Sequence, residues 1–172
     1  MTRTDWSRPA LEAAGFVGWV PFGDLPVTDV PPDPGVYIVW RPSRRKPRFR
    51  RRSVGGLWRR HDPTVAVERL ALEWVPGAEV LYIGGALSRK ADPAALSRRL
   101  NEYLKFGRRV GVTHSAGRLI WQLADYRKLL VAWRVTGPED PEDVEAAMLD
   151  DFASVYGALP FANLKRGRRR AG

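Results

Sequence analysis

The sequence predicts an α/β fold: a small central three-stranded sheet, mixed or antiparallel, flanked by helices. Three runs of strand length that are rich in β-branched and aromatic residues alternate with segments of helical periodicity. This order favours a layered α/β domain over a barrel or a helical bundle. The length of 172 residues, of which 44% are hydrophobic, is enough for one domain with a buried core.

Residues 1–33 are predicted to be an N-terminal extension that packs on the core. They contain a short helical candidate, Arg8–Ala14, followed by the aromatic residues Phe16, Trp19 and Phe22. Six prolines between Pro9 and Pro34 argue against long regular structure in this part of the chain. We therefore predict no strand before residue 34.

The core domain, residues 34–164, opens with a strand, a helix and a second strand. The turn pair Pro34-Gly35 precedes the β-rich run Val36–Trp40, which is the first predicted strand. A helix is predicted at Thr64–Trp74, because Asp62-Pro63 places a proline in its first turn. After a Pro-Gly pair, the β-rich run Glu79–Gly85 is the second predicted strand, and it ends at two glycines.

Two helices, a third strand and a final helix complete the predicted core. Leucines recur every four residues along Pro93–Phe106, which predicts an amphipathic helix. A further short helix is predicted at Ser115–Leu123 and the third strand at Leu129–Val135. The last helix is predicted to run from Pro141 to Gly157, and acidic residues in its first turn complement the positive end of the helix dipole.

Positive charge is concentrated in two segments. Residues 41–60 carry ten basic residues and no acidic one, and residues 165–172 carry five more. The other 144 residues have a net charge of −5, although the whole chain has +10. Tracts of this kind bind phosphates and release counterions, and arginine suits bidentate phosphate contacts. The basic insertion (residues 41–60) and the basic tail (residues 165–172) therefore predict a nucleic-acid partner, with a merely solubilising arm as the alternative.

The composition excludes several kinds of site. Without cysteine the chain has no disulfide, cysteine-bound metal or thiol nucleophile, and with only His61 and His114 any metal site must consist of oxygen ligands. Oxygen ligands favour Mg²⁺. No segment approaches the roughly 20 apolar residues that span a bilayer, and the N-terminus lacks the pattern of a secretory signal. We expect a cytoplasmic or nucleoid-associated protein that binds neither a membrane nor a small-molecule cofactor.

Two predicted strands and the helix that follows them carry short motifs, namely Gly35-Val36-Tyr37, Tyr82-Ile83-Gly84 and, on the helix, LSRRLNEY at residues 96–103. Together these motifs resemble the GIY-YIG nuclease family. The resemblance extends over residues 34–164, with the basic insertion between the first two core strands. It implies a GIY-YIG-like fold and a metal-dependent endonuclease that hydrolyses phosphodiester bonds of DNA.

The resemblance also implies a set of site residues. In the family, a tyrosine from each strand motif, an arginine on the next helix, a later helical glutamate and a terminal asparagine form the site. Tyr37 and Tyr82 match the two tyrosines. Arg99, rather than Arg98, matches the arginine, because it stands four residues before Tyr103 and therefore shares a helix face with it. Tyr103 itself matches a common aromatic position of the family.

The glutamate position has several candidates on the last predicted helix: Glu142, Asp143, Glu145, Asp150 and Asp151. Glu145 is followed at +3, +4 and +7 by apolar residues, as in helices of the family. Counting back from Asn163 by the shortest family spacing selects Asp151, but a serine follows that residue at +3. We predict Glu145, keep Asp151 as the alternative, and assign Asn163 as the terminal asparagine.

Phosphodiester hydrolysis gives each of these residues a role that the resemblance supports. Glu145 would hold one Mg²⁺ or Mn²⁺, and Arg99 would clamp the scissile phosphate. Tyr37 is the first choice for activating the water, although a phenol with an ordinary pKa near 10 needs the cation and the arginine close by. Tyr82 would position water or substrate by a hydrogen bond, and the two tyrosines could be exchanged.

The predicted partner is DNA, bound mainly through its phosphate backbone. The expected contacts are arginines outside the site: Arg44, Arg45, Arg48, Arg50, Arg51, Arg52 and Arg118. Phosphate contacts position a protein without reading bases, so sequence-specific cutting is disfavoured. The form of the DNA (single-stranded, double-stranded or branched) stays open. Two alternatives are a non-catalytic nucleic-acid-binding module on the same fold and an RNase.

Overall fold

The computed structural model describes residues 5–57, 60–88, 94–107 and 118–164. The strands in these ranges are β1 (Val17–Pro21), β2 (Gly35–Trp40), β3 (Val80–Ala86) and β4 (Leu130–Val135). The helices are α1 (Arg8–Ala13), α2 (Val67–Glu73), α3 (Ala95–Gly107) and α4 (Pro141–Tyr156). Short 3₁₀ turns lie at Phe22–Val27, Arg118–Gln122 and Tyr126–Lys128.

The four strands form one antiparallel sheet in the order β1-β4-β2-β3. The predicted α/β class is confirmed, but the prediction of three strands is wrong. β2 lies between β3 and β4, and all six of its residues are buried. β3 is at one edge of the sheet, so half of its backbone groups face away from β2.

The fourth strand is β1, in the segment for which no strand was predicted. It pairs with β4 at the other edge of the sheet and ends at Pro21, a position that edge strands tolerate. Its pairing register shifts between Gly18 and Val20, where Gly18 and Trp19 both have positive φ angles, of 97° and 57°. A Cβ at Gly18 would overlap the ring of Trp133. This bulge interrupts the two-residue alternation by which strands are recognised in a sequence.

Helices cover both faces of the sheet. On one face, α3 and α2 pack with the 3₁₀ turns against a core that includes Tyr37 and Val39 of β2. On the other face, α1 and α4 pack against a second core that includes Val36 and Ile38. Successive residues of β2 thus point into different cores, which is why the whole strand is apolar apart from one phenol. The sheet separates the two cores.

The helix ends follow local sequence signals. The Asp140 side chain accepts a hydrogen bond from the Glu142 N–H at the start of α4, and Gly157 ends that helix with a φ of 76°. The predicted helix at Thr64–Trp74 begins later, at Val67, and only a 3₁₀ turn forms in the described part of Ser115–Leu123. None of the helices in the described ranges is long and apolar enough to cross a membrane.

Candidate active site

Three tyrosines form a buried cluster between β2, β3 and α3. The ring centroids of Tyr37, Tyr82 and Tyr103 lie 5.7–5.9 Å apart in every pair. Their exposed fractions are 1%, 6% and 4%. Tyr82 donates a hydrogen bond from its hydroxyl to that of Tyr37, whereas the Tyr103 hydroxyl has no hydrogen-bond partner among the described residues. The tyrosines of the two strand motifs thus meet, with the helix tyrosine, inside an apolar layer.

Gly84 leaves the space that the side chain of Tyr37 fills. The two residues lie opposite each other in the β2–β3 ladder. A Cβ at Gly84 would come within 2.7 Å of the Cζ and hydroxyl oxygen of Tyr37 and within 2.8 Å of Cε1 of Tyr82. Both rings are buried and packed on other rings, so neither can move aside. The glycine of the second motif is therefore required by the tyrosine of the first.

We expect Gly84→Ala to lower the free energy of unfolding by about 1–3 kcal/mol, because the added methyl group overpacks the tyrosine cluster. Gly23→Ala is the matched control, since a Cβ at Gly23 meets no atom within 4 Å. Urea denaturation of both variants measures the difference. Equal stability of the two variants would contradict the steric role of Gly84.

Glu145 approaches β3 from the opposite face of the sheet. The N–H of Gly85 donates a hydrogen bond of 2.6 Å to Oε2 of Glu145. A Cβ at Gly85 would lie 2.8 Å from that oxygen and 3.1 Å from the backbone oxygen of Pro141. The two glycines near the end of β3 therefore leave space on different faces of the sheet. Gly84 leaves space for the ring of Tyr37, and Gly85 leaves space for α4 and the Glu145 carboxylate.

Arg99 is the arginine of α3 that acts on this cluster. Its positive charge lowers the pKa of Tyr37, of Tyr103 and of Glu145. The Arg99 side chain is 15% exposed, and its Nη1 lies 3.1 Å from Oε2 of Glu102. Arg98 turns away and donates from Nη2 to the backbone oxygen of Leu87 at 2.9 Å. The helix geometry that favoured Arg99 over Arg98 in the sequence thus agrees with the placement of the two side chains.

Burial controls the protonation of the cluster. It raises the pKa of Tyr37, Tyr82 and Tyr103 above the ordinary value, and the opposing effect of Arg99 on Tyr37 and Tyr103 is smaller. Burial also raises the pKa of Glu145, although the Gly85 N–H and the charge of Arg99 lower it. The phenols are therefore hydrogen-bond donors at neutral pH, and any role of theirs as a base requires additional positive charge beside them.

The raised pKa of Glu145 predicts that Glu145→Gln increases the melting temperature near neutral pH. The folded protein binds the Glu145 proton more tightly than the unfolded chain does, so stability falls as pH rises from the ordinary pKa of 4.5 through the raised value. Glutamine removes this penalty and keeps an oxygen acceptor for the Gly85 N–H. The gain should vanish well below pH 4.5, where both states of the wild type are protonated. Calorimetry at both pH values measures it, and a pH-independent difference would contradict the assignment.

Asn163 binds the free edge of β3. Its Oδ1 accepts from the Ile83 N–H at 2.9 Å, and its Nδ2 donates to the Ile83 oxygen at 2.8 Å. The N–H of Ala162 donates to the oxygen of Leu81. Asn163 and Glu145 therefore bind outward-facing backbone groups of β3 that are two residues apart, about 7 Å along the strand. Asn163 therefore stabilises the edge of the site, and both polar atoms of its amide are hydrogen-bonded to the backbone of Ile83.

The basic insertion is held against the domain by its backbone. Phe49 forms an isolated bridge with Leu123, and its ring stacks on Phe161 at a centroid distance of 5.8 Å. Its neighbours Arg48 and Arg50 are exposed, as expected for alternation in an extended chain. Arg50 donates its N–H to the backbone oxygen of Gln122 at 2.7 Å. The segment thus presents its guanidinium groups from a fixed backbone.

Gln122 is a buried amide that the sequence reasoning missed. Its Nε2 donates to the backbone oxygens of Arg50 (3.0 Å) and Val65 (2.7 Å), and its Oε1 accepts from the Val65 N–H (2.8 Å). One side chain thus joins the middle of the basic insertion to the chain just after its end. The available signal was a single polar residue inside the apolar run LIWQL.

We expect Gln122→Leu to lower the free energy of unfolding by about 3 kcal/mol or more, because it leaves three backbone groups without partners. Hydrogen exchange at the Val65 amide should accelerate more than exchange in β2. Asn101→Leu removes an exposed amide from α3 and serves as the control. If both leucine variants lose the same stability, Gln122 does not hold the segment.

The other arginines of the basic insertion differ in their exposure and in their ion pairs. Arg41 is 4% exposed, and it donates from Nε to Oδ2 of Asp125 (2.8 Å) and from Nη1 to two backbone oxygens of its own segment. Its charge is therefore used within the fold, so at least one of the ten cations of the basic insertion serves the structure rather than phosphate binding. Arg44 is exposed but pairs with Glu79 at 3.0 Å. The remaining predicted contacts in this segment are exposed: Arg45, Arg51 and Arg52.

The predicted contact Arg118, the two histidines and the basic tail lie outside the basic insertion. Arg118 is half-buried at the start of its 3₁₀ turn, and His61 is exposed. His114 and the basic tail lie outside the described residues.

The donor set at the cluster fits a hard cation that takes part of its coordination from a substrate. Glu145 supplies a half-buried carboxylate, and Mg²⁺ commonly uses one or two carboxylates together with waters and phosphate oxygens. Within the described ranges no group of three or more histidine, aspartate or glutamate side chains is placed to hold a metal ion. Glu145 is the carboxylate at the cluster, and its role as the metal ligand stays a prediction.

Comparisons with protein-family models, with curated proteins and with solved structures gave no match for this chain. The function is therefore inferred from the residues of the tyrosine cluster and of the basic insertion.

Proposed function

We propose that the protein is a metal-dependent DNA endonuclease of the GIY-YIG type, which hydrolyses phosphodiester bonds and binds DNA mainly through phosphates. One observation carries the proposal: Tyr37 of β2 and Tyr82 of β3 lie against Gly84, Glu145 of α4 binds Gly85 from the other face of the sheet, and the charge of Arg99 on α3 acts on Tyr37 and Glu145. A core needs no arginine and carboxylate beside buried phenols, since burying charge is costly. Such a combination is typical of active sites.

Each side chain has a chemical role in this proposal. Arg99 binds and orients the scissile phosphate and stabilises the charge that develops on its oxygens. Glu145 holds Mg²⁺ or Mn²⁺, which when bound supplies further charge stabilisation to the phosphoryl oxygens. The positive charge of Arg99 lowers the pKa of Tyr37, whereas the charged and polar groups that act on Tyr82 raise its pKa. The proximity of Arg99 supports Tyr37, rather than Tyr82, as the group that accepts the proton of the water.

The basic insertion supports DNA as the substrate. Phe49 connects its exposed arginines to Phe161, and Phe161 stands two residues before Asn163, which binds β3 beside Tyr82. One continuous series of contacts therefore links the phosphate-binding segment to the edge of the site. RNA could meet the same phosphate contacts, so the RNase alternative is tested with matched oligonucleotides.

The burial of the tyrosines favours a second candidate, the non-catalytic nucleic-acid-binding module. All three phenol rings are at most 6% exposed, and an active site must admit a water molecule and a phosphate. In that case the protein binds DNA through the basic insertion without cutting it.

The deciding experiment incubates the purified protein with single-stranded, double-stranded, branched and modified DNA, and with matched RNA, in Mg²⁺ or Mn²⁺. We expect cleavage of at least one DNA that EDTA abolishes. DNA binding without cleavage of any substrate would reject the enzyme and favour the binding module. Cleavage restricted to RNA would establish the RNase.

A further inference from the structure

A groove of about 600 Å³ lies between α1 and α4, on the face of the sheet away from the tyrosine cluster. Apolar side chains form its floor, among them Trp6, Leu11, Phe16 and Met148. It shares no lining residue with the candidate active site. The proposed nuclease activity therefore leaves this groove unexplained.

Acidic side chains surround the apolar floor. Glu139, Asp140, Asp143 and Asp151 line the groove, and Arg134 is the basic residue among its lining side chains. The groove lies in the part of the chain outside the two basic segments, whose net charge is −5. Asp140 also caps α4, but Glu139 and Asp143 are exposed on the rim. A positively charged ligand would therefore be attracted to this face and nucleic acid would be repelled.

The groove also contains an unsatisfied donor. Trp6 is 5% exposed, and its buried indole N–H has no hydrogen-bond partner among the described residues. Buried polar groups are normally paired. After a small rotation of the indole, a backbone carbonyl of a bound chain would satisfy it.

From these observations we infer that the groove binds a cationic amphipathic segment of a partner protein, with its apolar residues on the floor and its lysines or arginines against the acidic rim. Two segments of this chain are poor occupants. Phe49, the aromatic residue of the extended arginine segment, is packed inward on Phe161, and residues 165–172 contain one alanine and no larger apolar residue. Leu57 and Leu164 are exposed beside basic residues, so binding of a second copy of the chain is an outcome that the titration must separate from binding of a partner.

The chain offers a direct reporter for this groove, because it contains two methionines, Met1 and Met148. Protein labelled with ¹³C at the methionine methyl groups is titrated with a synthetic leucine–lysine peptide of about four helical turns that carries its leucines on one face. Met148→Leu assigns the Met148 signal. We expect saturable movement of that signal. A peptide of the same composition with its leucines spread around the helix should not produce it, and neither should the analogue with glutamate in place of lysine.

Variants with reversed charges distinguish peptide binding in the groove from general electrostatic attraction to the protein. Glu139→Lys with Asp143→Lys should weaken the peptide affinity by about tenfold or more. Asp24→Lys with Glu68→Lys changes the net charge equally at exposed positions outside the groove and should leave the affinity unchanged. Circular dichroism checks that both variants are folded, and the wild-type titration stands independently of them.

Several results would overturn the inference. They are an unmoved Met148 signal, equal binding of the three peptides, and equal weakening by the two double variants. Movement of the Met148 signal on raising the protein concentration alone, without a response to peptide, would show that a second copy occupies the groove.

Discussion

Glu145→Gln is expected to reduce metal-dependent DNA cleavage by about 100- to 1,000-fold, the range found when one group that stabilises transition-state charge is removed. Glutamine has nearly the same shape and keeps an oxygen for the Gly85 N–H, whose bond to Glu145 is 2.6 Å long. It loses the negative charge that would hold the cation. Single-turnover cleavage assays measure the rate, and DNA affinity measured in EDTA should stay unchanged.

Glu142→Gln is the matched control for this variant. It makes the same chemical change three residues earlier in α4, and Glu142 acts on the site only by slightly raising the pKa of Glu145. Its cleavage rate should stay close to that of the wild type. If the two glutamine variants cleave equally well, Glu145 is not the metal ligand. The alternative from the sequence, Asp151, lines the groove between α1 and α4, away from the tyrosine cluster.

Local sequence patterns could predict how the candidate site residues are placed, although they missed one strand of the fold. Tyr37, Tyr82 and Arg99 stand in short motifs whose spacing depends on local geometry, namely the alternation of a strand and the face of one helix. Glu145 was selected by the apolar residues that follow it, and those residues do face the second core: Leu149 and Phe152 are buried there. Local periodicity was therefore enough to place Glu145 on the side of α4 that meets Gly85, and its role as the metal ligand stays a prediction.

The features that could not be predicted from the sequence depend on contacts between segments that are distant along the chain. β1 was overlooked because Gly18 and Trp19 break its alternation, and the partner that stabilises it, β4, lies more than a hundred residues further on. Gln122 binds backbone groups of Arg50 and Val65, so its role appears only after the insertion has folded back on it. The same reasoning explains Arg41, whose acceptor Asp125 is distant in sequence.

Replacing Arg48, Arg50, Arg51 and Arg52 by glutamine is expected to weaken duplex DNA binding by roughly 1,000-fold near 0.1 M salt. Each lost phosphate contact removes about 0.9 from the slope of log K against log salt, so four contacts remove up to about 3.6. All four side chains are exposed. The backbone that carries them is fixed by Phe49 and Gln122 rather than by the guanidinium groups, so the fold should be retained.

The control must separate local contacts from total charge. Four exposed cations outside the insertion provide it when they are replaced together by glutamine: Arg69, Lys105, Arg127 and Lys128. Both variants lose four positive charges, so long-range attraction falls by a similar amount in each. Only the insertion variant should show the flatter salt dependence in fluorescence anisotropy titrations at several salt concentrations. Equal slopes in the two variants would mean that DNA responds to the net charge of the protein and that the insertion makes no direct contact with it.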